Sequence, residues 1–341
     1  MGLSQWRSKL TDMKNKCCRY NWLRQLFFLK GGSEPAPPPE WQAISTSIYN
    51  PGVQGVRGIA ANNGTWISAE NASPFVRRSS DAGASFTTVS LPSLVFDPAV
   101  IYANGVWMVH SRFAPPDCYR SIDDGLTWTQ VNSTGSPFNE MVYCGLNRWV
   151  AIDGNASSAF LSNDNGATWS APVAIAADRA VTGLSYNPTT GRTVYITQAE
   201  TGTRGEYSDD FGQTWNPLVG FPFTFWTRLA VNPLNNTWVA VGGEQGGVNC
   251  AVSNDGINFS PSEIVAPGAD FFDIFYGNGQ FRIVQGSVIA AYRSSNGVDW
   301  TFEDPLINTA TSQITYDEPL NTWWAVSRQT VNGAKSSKLI L

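Results

Sequence analysis

Seven times along this chain a turn built on Gly or Asn releases into a strand that opens with an aromatic side chain. The copies are Asn63-Gly64-Thr65-Trp66, Asn104-Gly105-Val106-Trp107, Leu146-Asn147-Arg148-Trp149, Gly191-Arg192-Thr193-Val194-Tyr195, Asn235-Asn236-Thr237-Trp238, Asn278-Gly279-Gln280-Phe281 and Leu320-Asn321-Thr322-Trp323. Turn formers followed by aromatic positions read as hairpins, and seven of them predict an all-β molecule. No run of 18 apolar residues interrupts the series, so no transmembrane helix is expected.

A second repeat fills the gaps, of the form S-x-D-x-G-x-x-[W/F]. It covers Ser79–Phe86, Ser121–Trp128, Ser162–Trp169 and Ser208–Trp215, with shortened copies at Ser253–Phe259 and Ser294–Trp300. Its glycines at 83, 125, 166, 212, 256 and 297 are spaced by 42, 41, 46, 44 and 41 residues, the length of a four-stranded propeller blade. Asp81, Asp123, Asp164, Asp210 and Asp255 can turn their carboxylates onto backbone N–H groups of a tight turn, the Gly supplies positive φ, and the aromatic packs between sheets. These motifs resemble the Asp-box, or BNR, repeats of sialidase-like β-propellers. The resemblance implies that each box closes the hairpin between third and fourth strands, away from the ligand face, and is structural.

Seven hairpins against six boxes leave the last blade with three strands, near Gln313–Tyr316, Trp323–Ser327 and Ser336–Leu341. The missing strand is expected from Glu40-Trp41-Gln42-Ala43-Ile44, which reads like the post-box strands. That pairing closes a seven-bladed disc over residues 40–341 and leaves no open sheet edge. Fourteen Trp, 31 Gly and 20 Pro with only 14% charged residues suit such a fold.

Residues 1–32 differ from the rest. Seven Lys or Arg against one Asp give them +6, so with a net charge of −5 the remainder carries −11. Trp6, Leu10, Met13, Cys17 and Tyr20 recur at steps of three and four, which predicts a short basic amphipathic helix, and residues 33–39 form a Pro-rich linker. The segment reads as an anchor arm docking into a larger assembly through Trp22, Phe27 and Phe28. A tail or a helix lying on its own propeller, and membrane attachment with acylation at Cys17 and Cys18, are the competing readings. An arm joined to an outward-facing propeller is similar in layout to bacteriophage virion proteins. No secretory signal is expected from the short apolar stretch Leu26-Phe27-Phe28-Leu29.

The chemical inventory is sparse. His110 is the only histidine and lies in a predicted strand, Cys17, Cys18, Cys118, Cys144 and Cys250 show no zinc spacing, and neither a P-loop nor a dinucleotide fingerprint occurs. No catalytic residue, metal site or cofactor is therefore expected. On the face opposite the boxes, counting four residues past the strand aromatic gives Glu70, Ser111, Asp153, Gln285 and Ser327, and nearby loops add Arg112, Glu200, Arg204, Glu244, Gln245 and Arg328. These form either a polar ring around a central mouth or ordinary solvated loop ends. Phe223, Phe225 and Trp226, just before Arg228, offer a surface for a sugar ring or a partner protein, or else fill the space between blades.

A sialidase would need three arginines around a carboxylate and an early F-R-I-P strand. Phe281-Arg282-Ile283-Val284 lacks the proline, and spacing alone does not select three among Arg57, Arg112, Arg204, Arg228 and Arg328. The expected function is a non-enzymatic binding propeller of a phage virion. Residues 1–32 would contact neighbouring virion or assembly proteins, and the disc would contact a host-surface glycan or protein rather than nucleic acid. An Asp-box glycosidase and a cellular assembly scaffold are the alternatives.

Overall fold

The computed structural model describes residues 41–44, 55–131, 134–177, 179–198, 204–221, 226–245, 248–264, 271–285, 290–303, 311–327 and 336–340. The expected arm, with Trp22, Phe27 and Phe28, lies outside these residues. The described residues hold no helix, and their strands form seven four-stranded antiparallel sheets. Trp41–Leu341 make one compact unit.

Each sheet is a blade, and six of the seven are built from consecutive strands. The inner strands are Val56–Asn62, Pro98–Ala103, Glu140–Tyr143, Val181–Asn187, Trp226–Asn232, Phe271–Gly277 and Thr311–Asp317 for blades 1 to 7. Each inner strand contacts those of the two neighbouring blades, and that of blade 7 contacts blade 1, so the ring closes. Blade 7 takes its outer strand from Trp41–Ile44, which pairs antiparallel with Ser336–Ile340, Trp41 opposite Leu339. The strand expected from the count of hairpins against boxes is the strand observed.

Burial falls from the second strand outward. All six residues of Thr65–Glu70 and of Val106–Ser111 are buried, because a second strand is covered by a neighbouring blade on both faces. The outer strand Thr129–Gln130 is exposed. The hairpin aromatics Trp66, Trp107, Trp149, Trp238, Phe281 and Trp323 are therefore among the largest fully buried side chains. Trp66 of blade 1 stacks on Trp324 of blade 7 with ring centroids 4.5 Å apart. Asp317 of blade 7 accepts the Asn63 and Gly64 N–H groups of blade 1 at 2.8 and 2.9 Å, and these two contacts lock the seam.

All six boxes lie between third and fourth strands and share one hydrogen-bond scheme. In the first, the Ser79 hydroxyl donates to Asp81 Oδ1 (2.7 Å) and accepts the Gly83 N–H (2.9 Å). Asp81 Oδ1 accepts the Ser85 N–H (2.9 Å). The sixth box keeps the scheme with Asn296 in place of the aspartate, accepting the Val298 and Asp299 N–H groups.

The box glycines do more than supply positive φ. A Cβ on Gly83 would meet Trp324 at 3.0 Å, on Gly166 Met108 at 3.1 Å, and on Gly297 Val239 at 2.5 Å, in each case a residue of the preceding blade. Gly256 has φ +74 and would bring a Cβ to 2.8 Å from the indole of Trp238 in its own blade, whereas Gly105, φ +75, faces open space. Gly105→Ala should cost about 1–2 kcal/mol, the left-handed backbone penalty alone. Gly256→Ala should cost a further 1–3 kcal/mol, roughly the cost of overpacking, because a buried indole cannot swing away. Urea denaturation of the two variants measures the difference, and equal losses would show that φ alone selects glycine at the box.

Candidate functional site

At the end of the channel opposite the boxes, five inner strands carry a β-bulge at the same place. The register slips between Val56 and Gly58, Val181 and Gly183, Trp226 and Arg228, Phe271 and Asp273, and Thr311 and Gln313. A bulge inserts one residue and re-aims the side chains beside it. Here it brings Arg57, Arg228, Asp273 and Gln313 to the mouth. The inner strands of blades 2 and 3 run without a slip from Pro98 and Glu140, and Asp97 and Glu140 enter the cluster directly.

The result is a chain of alternating charge across the mouth. Arg57 Nη1 lies 3.6 Å from Asp97, and Asp97 lies 3.9 Å from Arg112 Nη1. Arg112 Nε donates to Glu140 at 3.1 Å, Glu140 is 3.5 Å from Arg228 Nη1, and Arg228 Nε is 3.5 Å from Asp273. Arg228 also donates to the Thr182 carbonyl of blade 4 (2.7 Å), and Asp273 Oδ2 accepts the Ile314 N–H of blade 7 (3.0 Å). Every blade thus contributes an atom.

The two ends of this chain are electrostatically different from its middle. Burial lowers the basicity of Arg57, against which Asp97 is a weak counterweight, and among the described residues Arg57 Nε has no hydrogen-bond acceptor. Burial would do the same to Arg112, but Glu140, Asp97 and Asp273 outweigh it and its pKa is raised. Burial pushes the Asp273 carboxyl up to about 6 despite Arg228 and Arg112 nearby. A cavity of about 80 Å³ opens among Val56, Arg57, Asp97, Arg112, Arg228, Phe272 and Gln313. Three guanidinium groups and one carboxylate line it, so it is a basic pocket set in an otherwise compensated ring.

Of the residues expected at the mouth from the sequence, Arg112 is in this cluster. Glu70 and Asp153 end the second strands of their blades and are buried, 1% and 3% exposed, rather than projecting as solvated loop ends. Asp153 spends its carboxylate on the N–H groups of Asn155 and Ala156, and Ser111 accepts the Phe96 N–H. Gln285 is likewise buried. Arg204 Nη1 points to the Phe221 carbonyl at 3.4 Å within blade 4, apart from the mouth cluster. Trp226, Glu244, Gln245 and Ser327 have their backbones in strands, and their side chains lie outside the described residues, as do Glu200, Phe223, Phe225 and Arg328 altogether.

Asp97, Glu140, Asp273 and Gln313 were not singled out from the sequence. Their signal is positional: each lies at or near the start of an inner strand, just ahead of its apolar residues, and the bulges that re-aim Asp273 and Gln313 leave no mark in the residue types. His110 is fully buried, and its Nδ1 donates to the Phe138 carbonyl (2.7 Å). Burial drives its pKa down to about 3, so it is a neutral core residue. Cys118, Cys144 and Cys250 are buried free thiols, their ionisation suppressed by burial.

Comparison with known proteins agrees with this architecture. A family model described as BNR/Asp-box repeat matches residues 206–217, the box region of blade 4. The chain folds as a seven-bladed β-propeller that carries a BNR/Asp-box repeat. No curated protein matches the sequence. Among solved structures the Asp-box propeller is similar to YCF48 bound to D1 peptide, at 14% identity and TM-score 0.66 over 88% of this chain and 97% of that one. It is also similar to virginiamycin B lyase from Staphylococcus aureus (12%, TM-score 0.71, 89% and 100% covered) and to a chain of the Mitotic Checkpoint Complex (9%, 0.67, 91% and 95%). At these identities the likeness is one of fold, shared by an enzyme and by non-enzymatic propellers alike.

The mouth and the boxes respond to acid in opposite directions. Asp273, with its folded pKa raised above that of an unfolded aspartate, binds its proton more tightly when folded, so its contribution to stability is lost as pH rises from about 4 through about 6. Burial works against ionisation of Asp123, Asp164 and Asp255, but their box hydrogen bonds hold them at about 2, so their contribution is present above pH 4 and lost as pH falls through about 2. Asp273→Asn should remove the decline in stability between pH 5 and 7 and leave the loss below pH 4 unchanged, as measured by urea unfolding across pH. A wild-type profile flat from pH 5 to 7 would contradict the burial of that charge.

Proposed function

We propose that this Asp-box propeller is a protein-binding module that takes a carboxylate-bearing segment of a partner chain at its bulged mouth. The observation that carries this reading is the basic pocket: Arg57, Arg112 and Arg228 line a space of about 80 Å³ that holds only Asp97 as a counter-charge. Guanidinium groups recognise carboxylates by paired, charge-assisted hydrogen bonds. The pocket holds one acidic side chain or a chain terminus and is far below the roughly 300 Å³ at which small-molecule pockets begin. A glycosidase needs room for a sugar ring between two free carboxylates. At this mouth Glu140 and Asp273 are held by Arg112 and Arg228, which favours binding over hydrolysis.

A propeller of the same fold bound to a peptide, YCF48 with D1 peptide, supports a peptide-sized partner. The virion setting is a finer form of the same reading. It rests on the layout of residues 1–39 alone, with the arm as anchor and the mouth as the outward binding face, and neither the residues of the mouth nor the similar folds add to it.

An array of acidic, neutral and basic peptides tests the mouth. The full chain should retain acidic peptides selectively, and Arg57→Gln should weaken that binding at least about fivefold without changing the melting temperature, since among the described residues Arg57 makes a single long ion pair. Affinity should rise as pH falls from 7 to 5, because protonated Asp273 leaves three arginines facing two carboxylates. Equal capture of neutral or basic peptides, or an Arg57→Gln variant that binds as the wild type does, would refute the reading.

A further inference from the structure

The wider end of the channel lies at the face of the boxes, and its chemistry is unlike that of the mouth. A cavity of about 780 Å³ opens there, lined by the ends of the inner strands of blades 1, 2, 4, 5, 6 and 7. Among its lining residues Glu318 carries the only charge, and no Lys or Arg is present. Tyrosine occupies the penultimate position of four of these strands, as Tyr102, Tyr186, Tyr276 and Tyr316. The recurrence is visible in the sequence once the strand ends are known.

Three of these rings are held by a cross-strand aromatic before any ligand arrives. Tyr102 packs on Trp107 with centroids 4.7 Å apart, Tyr276 on Phe281 at 4.8 Å and Tyr316 on Trp323 at 4.9 Å. The Tyr316 hydroxyl donates to Asn321 Oδ1 (2.7 Å), whereas those of Tyr102 and Tyr186 make no hydrogen bond among the described residues. Phe275 is 38% exposed and Leu234 84% exposed, an apolar wall and an apolar rim that water now covers.

We infer that this end of the channel is a second binding site, for an uncharged aromatic small molecule. The volume lies within the roughly 300–1,000 Å³ of small-molecule sites, and the lining has their usual composition, apolar and aromatic with a few polar groups. Held tyrosine rings offer faces for offset stacking at little entropic cost, and two unengaged hydroxyls can fix the orientation of one polar group. An anion meets no cation among the lining residues and would lose its hydration beside Glu318, so the site discriminates against negative charge. The inference is independent of the mouth, which is lined by different residues and selects the opposite character.

The neutral dye N-phenylnaphthylamine and its anionic relative anilinonaphthalene sulfonate test this directly. Titrated into the full chain, the neutral dye should bind saturably and at least about tenfold more tightly than the sulfonate. Ala103→Trp, which fills the cavity, and Tyr186→Ala, which removes one ring, should each weaken dye binding at least about fivefold, and Arg57→Gln should leave it unchanged. Melting temperatures confirm that the variants are folded. If Ala103→Trp fails to fold, photolabelling of the wild type with a neutral benzophenone decides the question. Labels confined to 98–103, 271–279 and 315–318 support the site. Labels scattered elsewhere, non-saturable dye binding, or equal binding of the two dyes would overturn it.

Discussion

The ring depends on one repeated contact, the seating of each box turn against the blade before it. A blade alone is a small sheet with two apolar faces, and it is stable only between neighbours. The box makes that placement specific. Its serine and aspartate tie the turn into a fixed shape, and its glycine removes the one atom that would hold the blades apart. Arg78 of blade 1 then donates to the backbone and carboxylate of Asp124 in blade 2, and Arg120 of blade 2 to the Asn165 carbonyl in blade 3, so the seat is polar at its edge as well as closely packed. Because these contacts are spent on architecture, the box carboxylates are unavailable for chemistry.

The two sites proposed above lie at opposite ends of the channel, and the same backbone treats those ends differently. Where the inner strands begin, bulges turn arginines and carboxylates toward the axis, and burial makes their charges sensitive to one another. Where the inner strands end, regular pairing places Tyr102, Tyr276 and Tyr316 opposite the cross-strand aromatics Trp107, Phe281 and Trp323 and leaves a nearly uncharged, open space. One repeat therefore yields a charged aperture and an apolar one without any inserted domain.

The architecture was legible because it is written in local signals that recur. Turn residues, box serines and strand aromatics fall at a fixed period, and the mismatch of seven hairpins with six boxes was enough to assign Trp41–Ile44 to the last blade. The mouth was legible only in part. Counting from the strand aromatic found the ends of the second strands correctly, yet Glu70 and Asp153 are enclosed there by adjoining strands. The groups that reach the cavity stand on the inner strands, and whether Arg57 faces the axis or the next blade depends on a one-residue slip between Val56 and Gly58. Such a slip inverts every side chain beyond it and has no fixed composition. The wide cavity was not legible in advance, because the tyrosines that build it sit just ahead of the turns between first and second strands and share no motif beyond that position.

The pairing of Trp41 with Leu339 also sets a timetable. The two strands are about 300 residues apart in the chain, and translation proceeds at roughly 5–20 residues per second, so Trp41–Ile44 waits on the order of 15–60 s for its partner. During that interval six blades can form in order of synthesis, but the ring stays open with an unpaired strand edge at blade 7 and the indole of Trp66 not yet covered by Trp324. Until Ser336–Ile340 is made, nascent forms of this propeller are open arcs, and that strand converts an arc into a disc.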